Sequence, residues 1–281
     1  MGSPTLRLTR LALYFAWTLS LLPVQAVGLV LGCRWTHALP VFYHRWCCRI
    51  LGFRVRSVGN PTAERPVLFV ANHVSYTDIT ILGSVIAGSF IAKAEVADWP
   101  FFGWLAKLQR SVFVDRRVRS TATQRDAITD RLSAGEALIL FPEGTSGDGN
   151  RVLPFKSALF SAAQRNDIPP VIVQPVSLAY TRLDGMPIGR LYRPFFAWYG
   201  AVDLAPHLWS MVSLGMVEVV VEFHPPTFLS HCGSRKALAG YCYARIAGGV
   251  VGALFGRRQP MPEPPGPTRA AFSAALPRAV A

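Results

Sequence analysis

Acidic side chains are scarce in this 281-residue sequence: 16 Asp and Glu stand against 29 Lys and Arg, for a formal charge of +13. An excess of that size, almost all of it arginine, implies an acidic partner: nucleic acid, anionic lipid head groups or an acidic carrier protein. No zinc-finger, helix-turn-helix or aromatic RNA-binding signature is present and the basic residues are scattered, which sets nucleic acid aside. Cysteine is sparse too, at Cys33, Cys47, Cys48, Cys232 and Cys242. An odd count, an adjacent pair and no C-x-x-C spacing give neither a disulfide framework nor a thiolate zinc site; buried or interfacial thiols in a reducing compartment remain. The sequence also lacks internal repeats, a P-loop, a dinucleotide fingerprint and the G-x-S-x-G elbow of soluble hydrolases.

Apolar sequence, in contrast, is abundant, with 51% hydrophobic residues and a mean hydropathy of +0.29. The uncharged run 11–32, preceded by Arg7 and Arg10 and followed by Arg34, is about 22 residues long, enough for a helix to cross a hydrocarbon core roughly 30 Å thick. Pro23 would kink such a helix, so a re-entrant or interfacial hairpin also fits. V-Q-A at 24–26 resembles a signal-peptide cleavage site, yet the apolar run continues past it, and a retained anchor is the expectation. Arg45, Arg49, Arg54 and Arg56 then lie among Trp46, Ile50, Leu51 and Phe53, the mixture of a helix at a membrane surface with its basic groups among lipid phosphates. Placed after the anchor, these arginines turn the following part toward the cytoplasm.

From 66 to about 223, apolar strand-like runs alternate with helical patterns, which predicts an α/β fold with a mixed central sheet flanked by helices. Strands are expected at 67–70, 112–114, 137–141, 171–176 and 217–223. Pro175, in V-Q-P-V-S, should mark a strand end or an edge. The aromatic stretch W-P-F-F-G-W-L from Trp99 suits a core, an acyl-chain groove or a bilayer contact. The expected organisation is an N-terminal membrane-anchoring helical region at 1–60, a catalytic domain at 61–228 and a helical segment at 229–256. A disordered Pro- and Ala-rich tail at 257–281 completes it.

The stretch V-L-F-V-A-N-H-V-S-Y-T-D, residues 67–78, passes from a buried strand to a helix, with Ser75 and Thr77 available as N-caps. His73 and Asp78 therefore fall at a strand-to-helix corner, where α/β folds bind ligands. A neutral imidazole can accept a hydroxyl proton, and a carboxylate on its other nitrogen fixes the tautomer. A satisfied turn histidine beside a helix-capping aspartate explains the same pair without chemistry. Because no protein nucleophile is evident, a catalytic pair would act on a hydroxyl of the substrate.

Three further strand ends carry motifs: F-V-D-R at Phe113 to Arg116, F-P-E-G-T at Phe141 to Thr145, and Q-P-V at Gln174 to Val176. With N-H-x4-D at Asn72, His73 and Asp78, this ordered set resembles the glycerolipid O-acyltransferases, of which lysophosphatidic acid acyltransferase is the best-known type. The resemblance implies transfer from acyl-ACP or acyl-CoA to a hydroxyl-bearing lysolipid at a membrane surface, with neither metal nor organic cofactor. It also implies His73 as general base, Asp78 as its orienting partner, and an acceptor site containing Phe113, Arg116, Glu143, Gly144 and Thr145. Members that use lysophosphatidic acid usually carry arginine after F-P-E-G-T; here Ser146 stands there, with Arg151 and Lys156 as available substitutes. The longer stretches I-A-K-A-E-V-A-D-W-P-F-F-G-W-L, D-G-N-R-V-L-P-F-K-S-A-L-F and A-Y-T-R-L-D-G are similar to the bacterial branch that acylates lyso-ornithine lipid. That acceptor is a 3-hydroxy fatty acid amide-linked to ornithine, without a phosphate, and Glu143 or Asp148 would meet its ammonium. The resemblance implies acyl transfer at the bacterial inner membrane. Phosphatidic acid synthesis is the alternative within the family, and a non-catalytic membrane-binding scaffold the alternative outside enzymes.

Overall fold

The computed structural model describes residues 2–114, 121–164 and 169–256. Its strands are β1 (Phe53–Val58), β2 (Val67–Ala71), β3 (Ser89–Lys93), β4 (Val112–Val114), β5 (Ala137–Leu140), β6 (Ile172–Leu183), β7 (Met186–Pro187), β8 (Val217–Phe223) and β9 (Thr227–Phe228). They form one sheet in the order β1-β8-β6-β2-β5-β3-β4, with β7 and β9 also paired to β6. The sheet is mixed: β2 runs parallel to β5 and β6, while β6 runs antiparallel to β8. The helices are α1 (Pro4–Val30), α2 (Leu39–Leu51), α3 (Thr77–Gly83), α4 (Phe102–Leu108), α5 (Thr121–Ser133), α6 (Leu204–Met211), α7 (Leu229–Cys232) and α8 (Arg235–Phe255).

β2 is apolar throughout because it is covered on both faces, as central parallel strands are. Val67, Phe69 and Ala71 pack with Ile81 and Leu82 of α3, whereas Leu68 and Val70 pack with Cys242 and Ile246 of α8. Burying each large side chain here stabilises the sheet by roughly 1.5–3 kcal/mol. The strand's C-terminal end is thereby fixed in depth and direction, and the chain leaves it at Asn72.

Three expectations change. The basic helix ends at Leu51, since Gly52 takes a left-handed φ of 84°. The next residues alternate with the period of a strand, Phe53 buried and Arg54 and Arg56 exposed, so β1 joins the sheet beside β8. Those two arginines project from a strand rather than lining a surface helix. β3 was not foreseen; its S-F-I-A-K sequence is short and ends in a lysine. Pro175 lies inside the twelve-residue β6, not at its end. Its carbonyl accepts from His224 N at 2.9 Å, and the ring nitrogen faces the same way, into the break between β8 and β9 where no ladder bond is lost. The expected tail at 257–281 lies outside the described residues.

α1 begins earlier than the uncharged run, at Pro4, with the Ser3 hydroxyl capping Leu6 N at 3.3 Å. Arg10 donates to the carbonyls of Val212, Leu214 and Gly215. Fifteen residues on, the Gln25 amide donates to Leu108 O at 3.0 Å and Thr36 O at 3.1 Å. α1 is thus fastened near both ends to the rest of the described fold. Leu8, Leu13, Leu19, Val27 and Val30 remain exposed on its outer side. α1 and α8 are both long and apolar enough to cross a membrane. α8, however, buries Leu238, Cys242, Ile246 and Val250 as a core helix.

Candidate active site

The turn after β2 is built by side-chain to backbone bonds. Asn72 continues the pairing with β6: its amide nitrogen donates to Leu178 O at 2.9 Å and its oxygen accepts from Leu178 N at 2.8 Å. Next, His73 Nδ1 meets Asp78 Oδ2 at 2.9 Å. The same oxygen accepts from Val74 N at 2.6 Å and Ser75 N at 2.9 Å, and Oδ1 accepts from Tyr180 Oη at 2.7 Å. Asp78 is fully buried. A buried carboxylate of this kind is tolerable because donors surround it.

With Asp78 an acceptor at every contact, the proton on the His73 ring sits at Nδ1 and the lone pair at Nε2. No described residue hydrogen-bonds Nε2, and the His73 side chain is 20% exposed. Its ring stacks on Phe141 at 4.2 Å, with 19° between planes. Burial, with the Asp78 charge beside it, holds the Tyr180 phenol far above its ordinary range, so it stays a donor. The expected caps do not cap: Thr77 Oγ1 pairs with Tyr180 Oη at 2.6 Å, the Ser75 hydroxyl has no partner, and Asp78 itself collects the free N–H groups of the turn. The arrangement can hold a neutral imidazole in one tautomer and accept a proton at Nε2.

F-P-E-G-T forms the opposing turn, closed by Gly144 at φ 71°. Glu143 was expected to face the acceptor. Instead it is 2% exposed, Oε1 accepts from His73 N at 2.7 Å, and Oε2 accepts from Leu153 N at 2.8 Å. Each oxygen holds a backbone N–H, and the burial of the carboxylate keeps it from an ammonium in solvent. Burial pushes its carboxyl up to about 7, opposed by those two N–H groups and reinforced by Asp78. Glu143→Gln puts an NH2 group opposite one of the two N–H donors. A loss of about 1–3 kcal/mol is expected, read as a lower Tm together with reduced turnover. An unchanged Tm would show that Glu143 does not hold this loop.

Other bonds lock the His73 turn from two sides: Gly147 N donates to His73 O and Trp198 N to Val74 O, each at 2.9 Å. The Ser146 hydroxyl donates to Trp198 O. Thr145 is exposed beside them. Phe113 is on the edge strand β4, with β3 and β5 between it and β2, a separation of roughly 14 Å. Arg116 lies outside the described residues. Gln174 serves the fold: it accepts from Thr62 N at 2.8 Å and donates to Asn60 O at 3.1 Å and His224 O at 3.0 Å, tying down the β1–β2 connection. Sequence inspection missed Asn72 as a clamp and Tyr180 as a second partner of Asp78.

An apolar cavity opens between α1, α2, α3, α4 and β3, lined by Leu22, Tyr43, Phe90, Trp99, Phe102 and Leu105 among others, and it reaches Tyr76 and Thr77 next to Asp78. Part of the aromatic stretch therefore lines a groove, while Trp104 is 66% exposed. All five cysteines are free thiols. Among the described residues, no three His, Cys, Asp or Glu side chains stand together as metal ligands.

A family profile described as Acyltransferase matches residues 52–179. The lyso-ornithine lipid O-acyltransferase of Brucella abortus is 47% identical over 250 residues, covering 87% of this chain and 94% of that one. The protein of that name from Rhizobium meliloti is 42% identical over 245 residues, covering 85% and 84%. Among solved structures, the 1-acyl-sn-glycerophosphate (LPA) acyltransferase of Thermotoga maritima superposes with a TM-score of 0.60 at 25% identity, covering 85% of this chain and 92% of that one. A 1-acyl-sn-glycerol-3-phosphate acyltransferase of Neisseria meningitidis is 36% identical over 59% of this chain. Sheet, H-x4-D turn and full-length relatives agree: the chain belongs to the acyltransferase family, and it is an enzyme that transfers an acyl group to a lysolipid.

Proposed function

We propose that the enzyme esterifies the free 3-hydroxyl of lyso-ornithine lipid with an acyl group carried as a thioester on acyl carrier protein. One observation carries the mechanism: the His73–Asp78 pair is complete at 2.9 Å, yet no described protein hydroxyl or thiol bonds Nε2. We read the reacting hydroxyl as the acceptor's own. His73 Nε2 takes its proton as the oxygen attacks the thioester carbonyl, and buried Asp78 stabilises the imidazolium. The tetrahedral intermediate collapses to the ester, and the departing thiolate takes the proton back from His73. The apolar cavity beside Thr77 suits an acyl chain. A chain carrying +13 suits an acidic carrier protein as donor, and coenzyme A, itself polyanionic, is the competing donor in the test below. The exposed apolar side of α1 is read as lying in the cytoplasmic leaflet of the bacterial inner membrane.

The test offers labelled acyl carrier protein or acyl-CoA to membranes containing the enzyme, with lyso-ornithine lipid and lysophosphatidic acid as parallel acceptors. Preferential labelling of ornithine lipid supports the proposal; preference for lysophosphatidic acid replaces the acceptor and makes phosphatidic acid the product. Ser146 supplies a finer probe, because its hydroxyl is committed to Trp198 O and no cation stands at that position. Ser146→Arg is expected to lower KM for lysophosphatidic acid by about tenfold, a charge-assisted bond being worth roughly 1.5–3 kcal/mol. An unchanged ratio of the two acceptors' kcat/KM would count against position 146 as a phosphate discriminator.

A further inference from the structure

A second pocket lies at the same end of the sheet, lined by Asp148, Asn150, Arg151, Arg190, Arg193 and Phe255, none of which lines the apolar cavity. It adjoins the reaction centre: a Cβ on Gly149 would stand 3.3 Å from Val74 Cγ1 and 3.7 Å from Arg193 Cβ. Gly149, at φ 77°, thus packs between the Arg193 backbone side and Val74, the residue following His73.

The charges in this pocket are unbalanced. Arg193 is 6% exposed. Its Nε donates to Ile188 O and its Nη1 to Asn150 Oδ1, each at 3.2 Å, and its guanidinium lies over Phe255 at 5.2 Å. Nη2 has no partner among the described residues, and no described carboxylate forms an ion pair with Arg193. Burial lowers the Arg193 pKa, and the like charge of its neighbour Arg190 adds to that. A buried guanidinium beside a like charge is unfavourable unless an anion joins it. One carboxylate lines the pocket, Asp148, whose Oδ1 accepts from Asn150 N at 3.0 Å and whose Oδ2 accepts from Asn150 Nδ2 at 3.2 Å, with the Arg151 charge beside it, so three arginines face one carboxylate.

We propose that this pocket binds the amino-acid head group of the acceptor, its α-carboxylate on Arg193 and Arg190 and its side-chain ammonium against Asp148. The inference rests on lyso-ornithine lipid being the acceptor and assigns the residues that recognise it. The reacting hydroxyl of that lipid is a few bonds from the head group, which matches a pocket one residue removed from the His73 turn. Asp148 supplies discrimination: a phosphate monoester would find the same arginines but meet a carboxylate of its own sign.

Kinetics of the full-length enzyme on four acceptors test this: lyso-ornithine lipid, its α-methyl ester, its δ-N-acetyl derivative and lysophosphatidic acid. Esterifying the carboxylate is expected to raise KM about tenfold, the lower end of a lost charge-assisted pair. Arg190 is exposed and its replacement should spare the fold. Arg190→Gln is expected to raise KM for the free acid by roughly three- to tenfold and to add no comparable penalty on the methyl ester. Asp148→Asn should weaken use of the free ammonium form, but not of the acetylated one, and improve use of lysophosphatidic acid. Penalties of equal size on capped and free acceptors would overturn the assignment while leaving the acceptor in place. If the wild-type enzyme acylates lysophosphatidic acid and not lyso-ornithine lipid, the acceptor itself is wrong and this assignment falls with it.

Discussion

His73→Ala is expected to reduce acyl transfer by about 10²–10⁴-fold while the protein folds and partitions with membranes as before. The separation of the two effects follows from how little else the imidazole holds. Removing it takes one donor from Asp78, whose bonds to Val74 N, Ser75 N and Tyr180 Oη remain. The backbone N–H of residue 73 still reaches Glu143, so the turn keeps its path. The stability cost should be limited to one hydrogen bond and the stack on Phe141, about 1 kcal/mol. Single-turnover transfer from labelled acyl carrier protein, measured beside a thermal melt, separates the two readouts. Turnover within tenfold of wild type, with an unchanged Tm, would remove His73 as the base. Glu143→Gln provides the contrast: its defect should appear in the melt first and reach turnover through the His73 backbone.

How much of this was legible in the sequence depended on the range of the interaction. β2 and its strand-to-helix corner read directly, because a central parallel strand must be apolar on both faces, and V-L-F-V-A is. β8 did too, V-E-V-V-V-E-F being largely apolar with two glutamates that turn outward. β1 was concealed by its arginines: F-R-V-R-S-V has the period of an edge strand, but two basic residues among aromatics also suit an interfacial helix. Pro175 misled for a related reason, since a proline is excluded from a ladder only where its nitrogen faces a partner, and the break between β8 and β9 is invisible until the sheet is assembled. His73 and Asp78 are five residues apart, so their pairing is local and could be anticipated. Tyr180 is 102 positions from Asp78 and reaches it only through the β2–β6 register. The backbone bonds of Glu143 were not legible because a carboxylate at a strand end looks equally suited to a ligand or to backbone N–H groups. No local sequence signal shows that Arg193, which forms no ion pair with a described carboxylate, packs against Gly149, as Val74 does.

Asp78→Asn should cost about 10²–10⁴ in kcat with a smaller effect on stability than its burial suggests. Oδ2 faces three N–H donors, so the asparagine must keep its oxygen there and turn its NH2 toward Tyr180. A phenol can meet that change by accepting from the amide and passing its own proton to Thr77 Oγ1, which lies 2.6 Å away. The turn, the His73 orientation and the Nδ1 proton are then all retained. What disappears is the negative charge that stabilises the imidazolium as His73 takes the acceptor's proton, and that stabilisation is realised only along the reaction path. kcat should therefore fall with KM little changed. Asp78→Ala behaves differently, because Val74 N, Ser75 N and Tyr180 Oη lose their acceptor at a buried site. Each such group costs about 1–3 kcal/mol, and the loop should lose its shape. Comparing the two variants by melt and by kcat distinguishes the charge from the scaffold. Asp78→Asn turnover close to wild type would reduce Asp78 to a device that closes the turn, and would leave His73 to act without a charged partner.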